Sequence, residues 1–158
     1  MRRINGTPVW QGRIGEALTM TDQASVQAWF ATWGGYVAAH NFDGARTLFH
    51  PHVTGFGTFK DFVQGLDALE AGQWRSIWPT IADFNFRVDE LELRISPDRL
   101  FASAAVLWTS TGFDSEKQPY DRPGRATVAI DRVTVDSPWR GLHTHFSQFP
   151  AERKLSFG

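Results

Sequence analysis

A chain of 158 residues is most simply one domain with a substantial core. The formal net charge is −1 and neither sign of charge is clustered, which argues against nucleic acid as a partner. Cysteine is absent, so disulfides and thiolate chemistry are excluded and a metal site would have to use His, Asp or Glu. Seven Trp and thirteen Phe predict extensive buried or concave aromatic surface.

The pattern of apolar residues predicts a cytoplasmic protein with no membrane partner. No apolar run approaches the roughly 20 residues of a membrane span, and residues 1–20 lack the continuous apolar core of a secretory signal. Met20 directly precedes a convincing helix start. We therefore expect residues 1–20 to be an N-terminal extension, residues 21–150 one folded domain and residues 151–158 a C-terminal tail.

A first helix is predicted from the N-cap residues Thr21 and Asp22 to about Asn41. Its apolar positions follow at helical spacing, which predicts one buried face: Val26, Trp29, Phe30, Trp33 and Val37. A second, short helix is expected from Asp43 through Phe49.

The next segment predicts a short strand and then a third helix. The strand is "HVTGFGTF", residues 52–59, whose glycines permit a close approach or a bend. The helix is expected from about Leu66 to Trp78 and is ended by Pro79, although Gly72 weakens it.

After Pro79 the period of the apolar residues changes to two, which predicts a curved antiparallel sheet in meander order. Residues 84–88 and 91–95 alternate in opposite phase, so we expect a β-bulge at Asp89-Glu90. Three further strands are predicted, at 100–113, 125–135 and 139–149, with turns at "SPD" and "DSP".

The order helix, helix, strand, helix and four strands resembles the nuclear transport factor 2-like superfamily over roughly residues 22–150. The segment "GRATVAIDRV…WRGLHTHFS", within residues 124–147, resembles the SnoaL-like group and also the ending of the calcium/calmodulin-dependent kinase II association domain. The resemblance implies an α+β, cone-shaped fold, in which three N-terminal helices pack on a curved, mainly antiparallel sheet. It also implies an apolar conical pocket and a homodimer joined through the sheet.

Pocket residues are proposed from this resemblance. Arg125 is expected to reach the pocket, where its guanidinium would bind a carboxylate or enolate oxygen; a salt bridge with Asp121 or Asp131 is the alternative. Apolar walls and strand positions complete the candidate ligand-binding set: Trp33, Phe56, Trp78, Trp108, Thr144 and Phe146.

Comparison with ketosteroid isomerase, which uses an Asp base and an oxyanion hole of Tyr and protonated Asp, argues against that mechanism here. The base position falls at Gly57 and the Tyr position near Trp33, and no Asp or Glu lies between Phe49 and Lys60. Catalytic residues therefore stay unassigned. Asp83, Asp114 and Asp131 are the open candidates for an acid or base.

Two His-x-His pairs raise the question of a metal. His143 and His145 share one face of the last strand, and the resemblance turns that face away from the pocket. His50 and His52 flank Pro51 at a helix end, where histidines commonly bond the last carbonyls. We expect both pairs to be structural, with no metal and no cofactor.

Two functions fit these features. The first is a SnoaL-like protein that binds a small apolar or aromatic molecule and possesses, if it is an enzyme, cofactor-independent isomerase, cyclase, dehydratase or hydrolase activity. The second is a non-catalytic binding or oligomerisation module.

Overall fold

The computed structural model describes residues 10–57 and 61–149, with side chains described from Asp22 onward. The longest helix, α1 (Trp10–Ala38), begins well before the predicted start at Thr21. Asp22 does not cap this helix. It lies within α1, is buried, and pairs with Arg99 at 2.6 Å and Arg132 at 2.9 Å. Burial of one face of α1 follows the predicted spacing.

The second helix, α2 (Phe42–Arg46), is capped by Asn41 rather than Asp43. The Asn41 Oδ1 accepts a hydrogen bond from the backbone N–H of Gly44 at 2.9 Å, as an N-cap side chain does. The helix ends before Phe49, which instead begins the strand β1 (Phe49–Phe56).

The third predicted helix is present but irregular. It consists of α3 (Leu66–Leu69), a π-helical turn (Glu70–Trp74), α4 (Arg75–Ile77) and a 3₁₀ turn (Trp78–Thr80). The π-helical turn contains Gly72, the residue that weakened the helix prediction.

Over residues 10–57 and 61–149 the sheet has eight strands; six follow the order β2-β1-β8-β7-β5-β3, and β4 and β6 also pair with β5. Its pairs are antiparallel, except that β1 and β8 are parallel. The strands after β1 are β2 (Val63–Gln64), β3 (Ala82–Phe86), β4 (Glu92–Ile95), β5 (Phe101–Phe113), β6 (Pro119–Asp121), β7 (Gly124–Asp131) and β8 (Arg140–Gln148). This α+β architecture, with a curved, mainly antiparallel sheet, confirms the predicted fold class.

Two sheet predictions are wrong in detail. The change of phase near Asp89 comes from a 3₁₀ turn (Val88–Glu90), not a β-bulge, and the segments before and after it form separate strands on β5. The strand β7 ends at Asp131, four residues before the expected end, and residues 132–139 form the connection to β8.

Alternate residues of the long strands give the sheet an inner face toward α1 and an outer face. On β5, the inner positions Ala102, Ala104, Val106 and Trp108 are buried within the core that also contains Phe30 of α1. The odd-numbered positions of β5 lie on the outer face and are more exposed. Within the described residues, no helix is both long and apolar enough to cross a membrane.

Candidate functional site

A small cavity lies between α1, the irregular third helix and the inner face of the sheet. The volume of this cavity that a water-sized sphere can enter is about 50 Å³. Several waters or a small apolar group would therefore fit. Most of its lining is aromatic or aliphatic, with one amide and one guanidinium: Trp33, Val37, Gln73, Trp74, Ile77, Trp78, Ile81, Phe84, Trp108, Arg122 and Phe146.

The irregular helix supplies one wall of this cavity. Trp74 and Trp78 are four residues apart and their rings stack at 5.0 Å between centroids, as helical spacing allows. Phe42 stacks on the other side of Trp78 at 5.1 Å. This stacked column holds the two indole rings in place along the cavity.

The opposite wall comes from the inner face of the sheet. Phe146 of β8 meets Trp33 of α1 edge to face at 5.5 Å, and Phe84 of β3 stacks on Trp108 of β5 at 5.8 Å. The Trp108 ring can lie here because residue 124 is glycine. A Cβ atom at Gly124 would stand 2.1 Å from the ring atom Cζ2, far inside contact distance.

Arg122 is the charged residue of the cavity lining, and it is 92% buried, with 8% of its surface exposed. It follows β6. Its backbone N–H donates a hydrogen bond to the backbone C=O of Ser110 in β5, and its own C=O accepts one from the backbone N–H of Ser110. This pairing places the Arg122 side chain on the inner face of the sheet. The guanidinium lies 5.1 Å from the Trp108 ring centroid and makes one long hydrogen bond, 3.4 Å, to Ser110 Oγ.

The guanidinium of Arg122 makes no ion pair with any described residue. Burial lowers its pKa, yet arginine stays protonated in proteins. A buried cation with most of its donors unused is costly, since charges inside proteins are normally paired. The site therefore presents a positive charge without a protein counter-charge among the described residues.

Three other polar atoms of lining residues are buried without a described partner. They are the Oε1 of Gln73 and the indole N–H groups of Trp33 and Trp108. Buried polar atoms of native proteins usually have partners, so three unpaired ones among the residues of a single cavity lining are unusual.

The structure brings four of the seven predicted ligand-binding residues to the cavity: Trp33, Trp78, Trp108 and Phe146. Thr144 shares the inner face of β8 and is 1% exposed, but it packs near Gly55 rather than lining the cavity.

The position expected for Arg125 is corrected. Its side chain is exposed on the outer face of β7 and its Nε donates to Ser147 Oγ at 3.1 Å. Inner positions of this strand are Ala126, Val128 and Ile130, so Arg125 has the opposite phase. Neither Asp121 nor Asp131 pairs with it.

Phe56 also lies on the outer face, not in the cavity wall. Its ring contacts His143 and His145 edge to face at 5.3 and 5.4 Å. His143 Nδ1 is 3.0 Å from Thr54 Oγ1. Both histidines thus face away from the cavity, on the side that the resemblance implied.

The remaining candidates for chemistry lie outside the cavity lining. His50 Nε2 is 2.6 Å from Asp131 Oδ1. Asp83 accepts a hydrogen bond from the Thr111 hydroxyl. Asp114 accepts hydrogen bonds from the backbone N–H groups of Glu116 and Gln118 in the loop that follows it. Among the described side chains, no three of His, Cys, Asp or Glu come together as a metal site would require.

Sequence reasoning did not assign seven of the lining residues to the pocket: Val37, Gln73, Trp74, Ile77, Ile81, Phe84 and Arg122. Trp74 carried a signal, because it lies four residues before Trp78 and three before Ile77, and both spacings make side chains neighbours on a helix. Arg122 carried little local signal, since "YDRPG" is typical of a loop and its pairing with Ser110 depends on a partner twelve residues away.

Solved structures of low sequence identity share this fold. A nuclear transport factor 2-like superfamily protein from Salmonella enterica has a TM-score of 0.70 at 16% identity, covering 89% of this chain and 99% of its own. A ketosteroid isomerase-like protein from Erwinia carotovora has a TM-score of 0.66 at 11% identity, covering 82% and 98%. A nuclear transport factor 2-like protein with a cystatin-like fold from Novosphingobium aromaticivorans has a TM-score of 0.69 at 12% identity, covering 93% and 94%.

None of the curated proteins compared with this sequence matches it. The SnoaL-like domain model matches residues 26–152, most of the chain and all of the elements that enclose the cavity except the first turns of α1. This chain belongs to the SnoaL-like domain family.

Proposed function

We propose that this protein binds a small apolar or aromatic molecule in the cavity between α1, the irregular third helix and the sheet. The observation that carries the proposal is the lining itself, in which Trp33, Trp74, Trp78, Trp108 and Phe146 surround a space that protein side chains leave unfilled. Interiors normally pack with few voids larger than a water molecule. Predominantly apolar walls with a few polar groups are the usual composition of a ligand site.

Binding without catalysis fits the lining better than acid–base chemistry does. A general acid or base needs a group that titrates near the working pH, most often His, Asp or Glu. The described lining consists of apolar side chains, a glutamine amide and a guanidinium, which bind and orient rather than exchange protons. We therefore favour a ligand-binding protein of the SnoaL-like family over a cofactor-independent isomerase, cyclase, dehydratase or hydrolase.

A cavity-filling variant tests the proposal. Ile77 lines the cavity and is only half-buried, so Ile77→Trp should occupy the space while the fold persists. Val135→Trp, on the exposed connection between β7 and β8, adds the same ring away from the cavity. A set of small aromatic and alicyclic compounds would be screened by thermal shift with all three proteins.

Compounds that raise the Tm of the wild type and of Val135→Trp, but not of Ile77→Trp, support the cavity as the binding site. Equal Tm increases in Ile77→Trp would place binding elsewhere and contradict the proposal.

A further inference from the structure

The unpaired charge of Arg122 restricts what the cavity accepts, provided that the cavity binds small molecules as proposed. A guanidinium has five N–H donors, and Arg122 uses one of them in a long contact with Ser110 Oγ. Although the residue is 92% buried, its unpaired nitrogen atoms keep some accessible surface, so a guest in the cavity can reach them. An anionic guest would supply the missing counter-charge where the surroundings of low polarity make ionic hydrogen bonds strong.

The shape of the guanidinium selects among anions. Its planar fork matches a carboxylate, which can accept two parallel hydrogen bonds. Other basic side chains are missing from the described lining, so one negative charge can be neutralised there and a second would stay unpaired. This combination favours a monoanion over a dianion such as a phosphate monoester.

The aromatic part of the lining determines which group attached to the carboxylate fits the cavity. Trp108 lies against both the guanidinium and Phe84, and Phe146 lies 6.2 Å from Trp108. These flat apolar surfaces, together with that of Trp33, suit a ring better than a flexible polar chain. The small space limits that ring to a single one.

We infer that the cavity is a site for a small ring-bearing monocarboxylate, whose carboxylate pairs with Arg122 and whose ring lies against the aromatic side chains of the lining. Gln73 is the second polar side chain of the described lining.

The test compares two probes of nearly equal shape that differ in charge, 4-fluorobenzoate and 4-fluorobenzamide. Their dissociation constants would be measured by ¹⁹F NMR with the wild type, Arg122→Leu and the matched control Arg125→Leu. Arg125 is the same residue type three positions away, but it lies on the outer face. Circular dichroism would verify that each variant folds.

We expect the wild type and Arg125→Leu to bind the benzoate at least about tenfold tighter than the benzamide, the factor typical of a charged hydrogen bond. In Arg122→Leu this preference should vanish. Equal affinity of the wild type for both probes, or a preference that survives in Arg122→Leu, overturns the carboxylate assignment while leaving the cavity as a ring-binding site. If the wild type binds neither probe at millimolar concentration, the carboxylate assignment is contradicted, while the thermal-shift screen with Ile77→Trp decides the proposed function separately.

Arg122→Lys keeps the test decisive if Arg122→Leu does not fold. Lysine retains the charge but loses the planar fork. It should weaken benzoate binding several-fold and keep some preference over benzamide. Unchanged benzoate affinity in Arg122→Lys would rule out a paired contact with the guanidinium.

Discussion

Asp22 joins three parts of the chain that are far apart in sequence. Its carboxylate accepts hydrogen bonds from Arg99, which precedes β5, and from Arg132, which follows β7. The hydrogen bonds from Arg99 hold the pKa of Asp22 below its usual value, against the opposing effect of burial. Arg132 is itself buried and lies over the Trp139 ring at 4.1 Å. The triad therefore ties the middle of α1 to the chain segments that precede β5 and follow β7.

Asp22→Asn should destabilise the fold strongly, because it leaves the buried charge of Arg132 without its counter-ion. Removal of one partner of a buried pair typically costs about 3–5 kcal/mol. Urea unfolding at neutral pH measures the change. Asp89→Asn, at an exposed position of the 3₁₀ turn, serves as the control and should change the free energy of unfolding little. Equal stability of the two variants would contradict the importance of the triad.

His143 makes stability depend on pH. Burial lowers its pKa below 6.5, and the neighbouring His145 adds to that effect, while Thr54 opposes it. The unfolded state then binds a proton more readily than the folded state, so stability falls as the pH drops below about 6.5.

The change appears as a lower urea midpoint at pH 5.5 than at pH 7.5. In His143→Gln this loss should be smaller, since the group that titrates is gone. A variant that loses as much stability on acidification as the wild type would assign the effect to other groups.

Arg122 lines the cavity, whereas Arg125 was the predicted arginine, and this difference shows how far sequence alone could locate the site. Ala126, Val128 and Ile130 share one phase of β7, so the strand pattern itself placed Arg125 on the other face. The resemblance overrode that local signal. The inward position of Arg122 could not be read locally, because it depends on the pairing of its backbone with Ser110.

Among the secondary-structure elements, those with a regular apolar period were predicted well. The buried face of α1 and the alternation along β5 follow from spacing alone. The start of α1 and the break near Asp89 were missed for a physical reason. Asp22 has the chemistry of an N-cap, yet a tertiary ion pair uses its carboxylate, and a 3₁₀ turn shifts the strand phase much as a bulge would.

Alanine substitution should lower the stability of the protein at a glycine in β7 and raise it at a glycine in α1. A Cβ at Gly124 would collide with Trp108 and with the backbone oxygen of Ser147, so Gly124→Ala should cost about 1–3 kcal/mol through overpacking. No described atom lies within 4 Å of a Cβ at Gly35, which is exposed in α1. Gly35→Ala should stabilise the protein by about 0.5–1 kcal/mol.

Urea unfolding of both variants checks these signs. A Gly124→Ala variant as stable as the wild type would mean that Trp108 does not lie against β7, and it would contradict the position of Trp108 in the cavity wall.

The outer face of the sheet is suited to self-association, and we propose that the protein is a homodimer joined there. Ala105, Thr127 and His145 are cross-strand neighbours at its centre and are exposed, while Phe101 and Phe113 stand exposed on the same face of β5. Small central side chains permit close approach of a second sheet, and exposed aromatic groups mark interaction surfaces.

Light scattering should give twice the mass of one chain for the wild type. Thr127→Glu would place a charge at the centre of the face and should produce monomers, whereas Lys117→Glu, on the exposed loop before β6, should leave the dimer intact. A monomer mass for the wild type at micromolar concentration would contradict the homodimer.

Tryptophan side chains report directly on where a small molecule binds. Trp33, Trp74, Trp78 and Trp108 line the cavity, whereas the indole N–H of Trp139 donates to Ser25 Oγ outside it. The decisive measurement is a ¹⁵N-correlated NMR titration of the wild type with a compound that raises its Tm, followed through the assigned indole resonances. Binding in the cavity predicts progressive shifts of the four lining indoles and an unchanged Trp139 resonance. Shifts confined to Trp139, with the four cavity indoles unmoved, would contradict the cavity as the binding site.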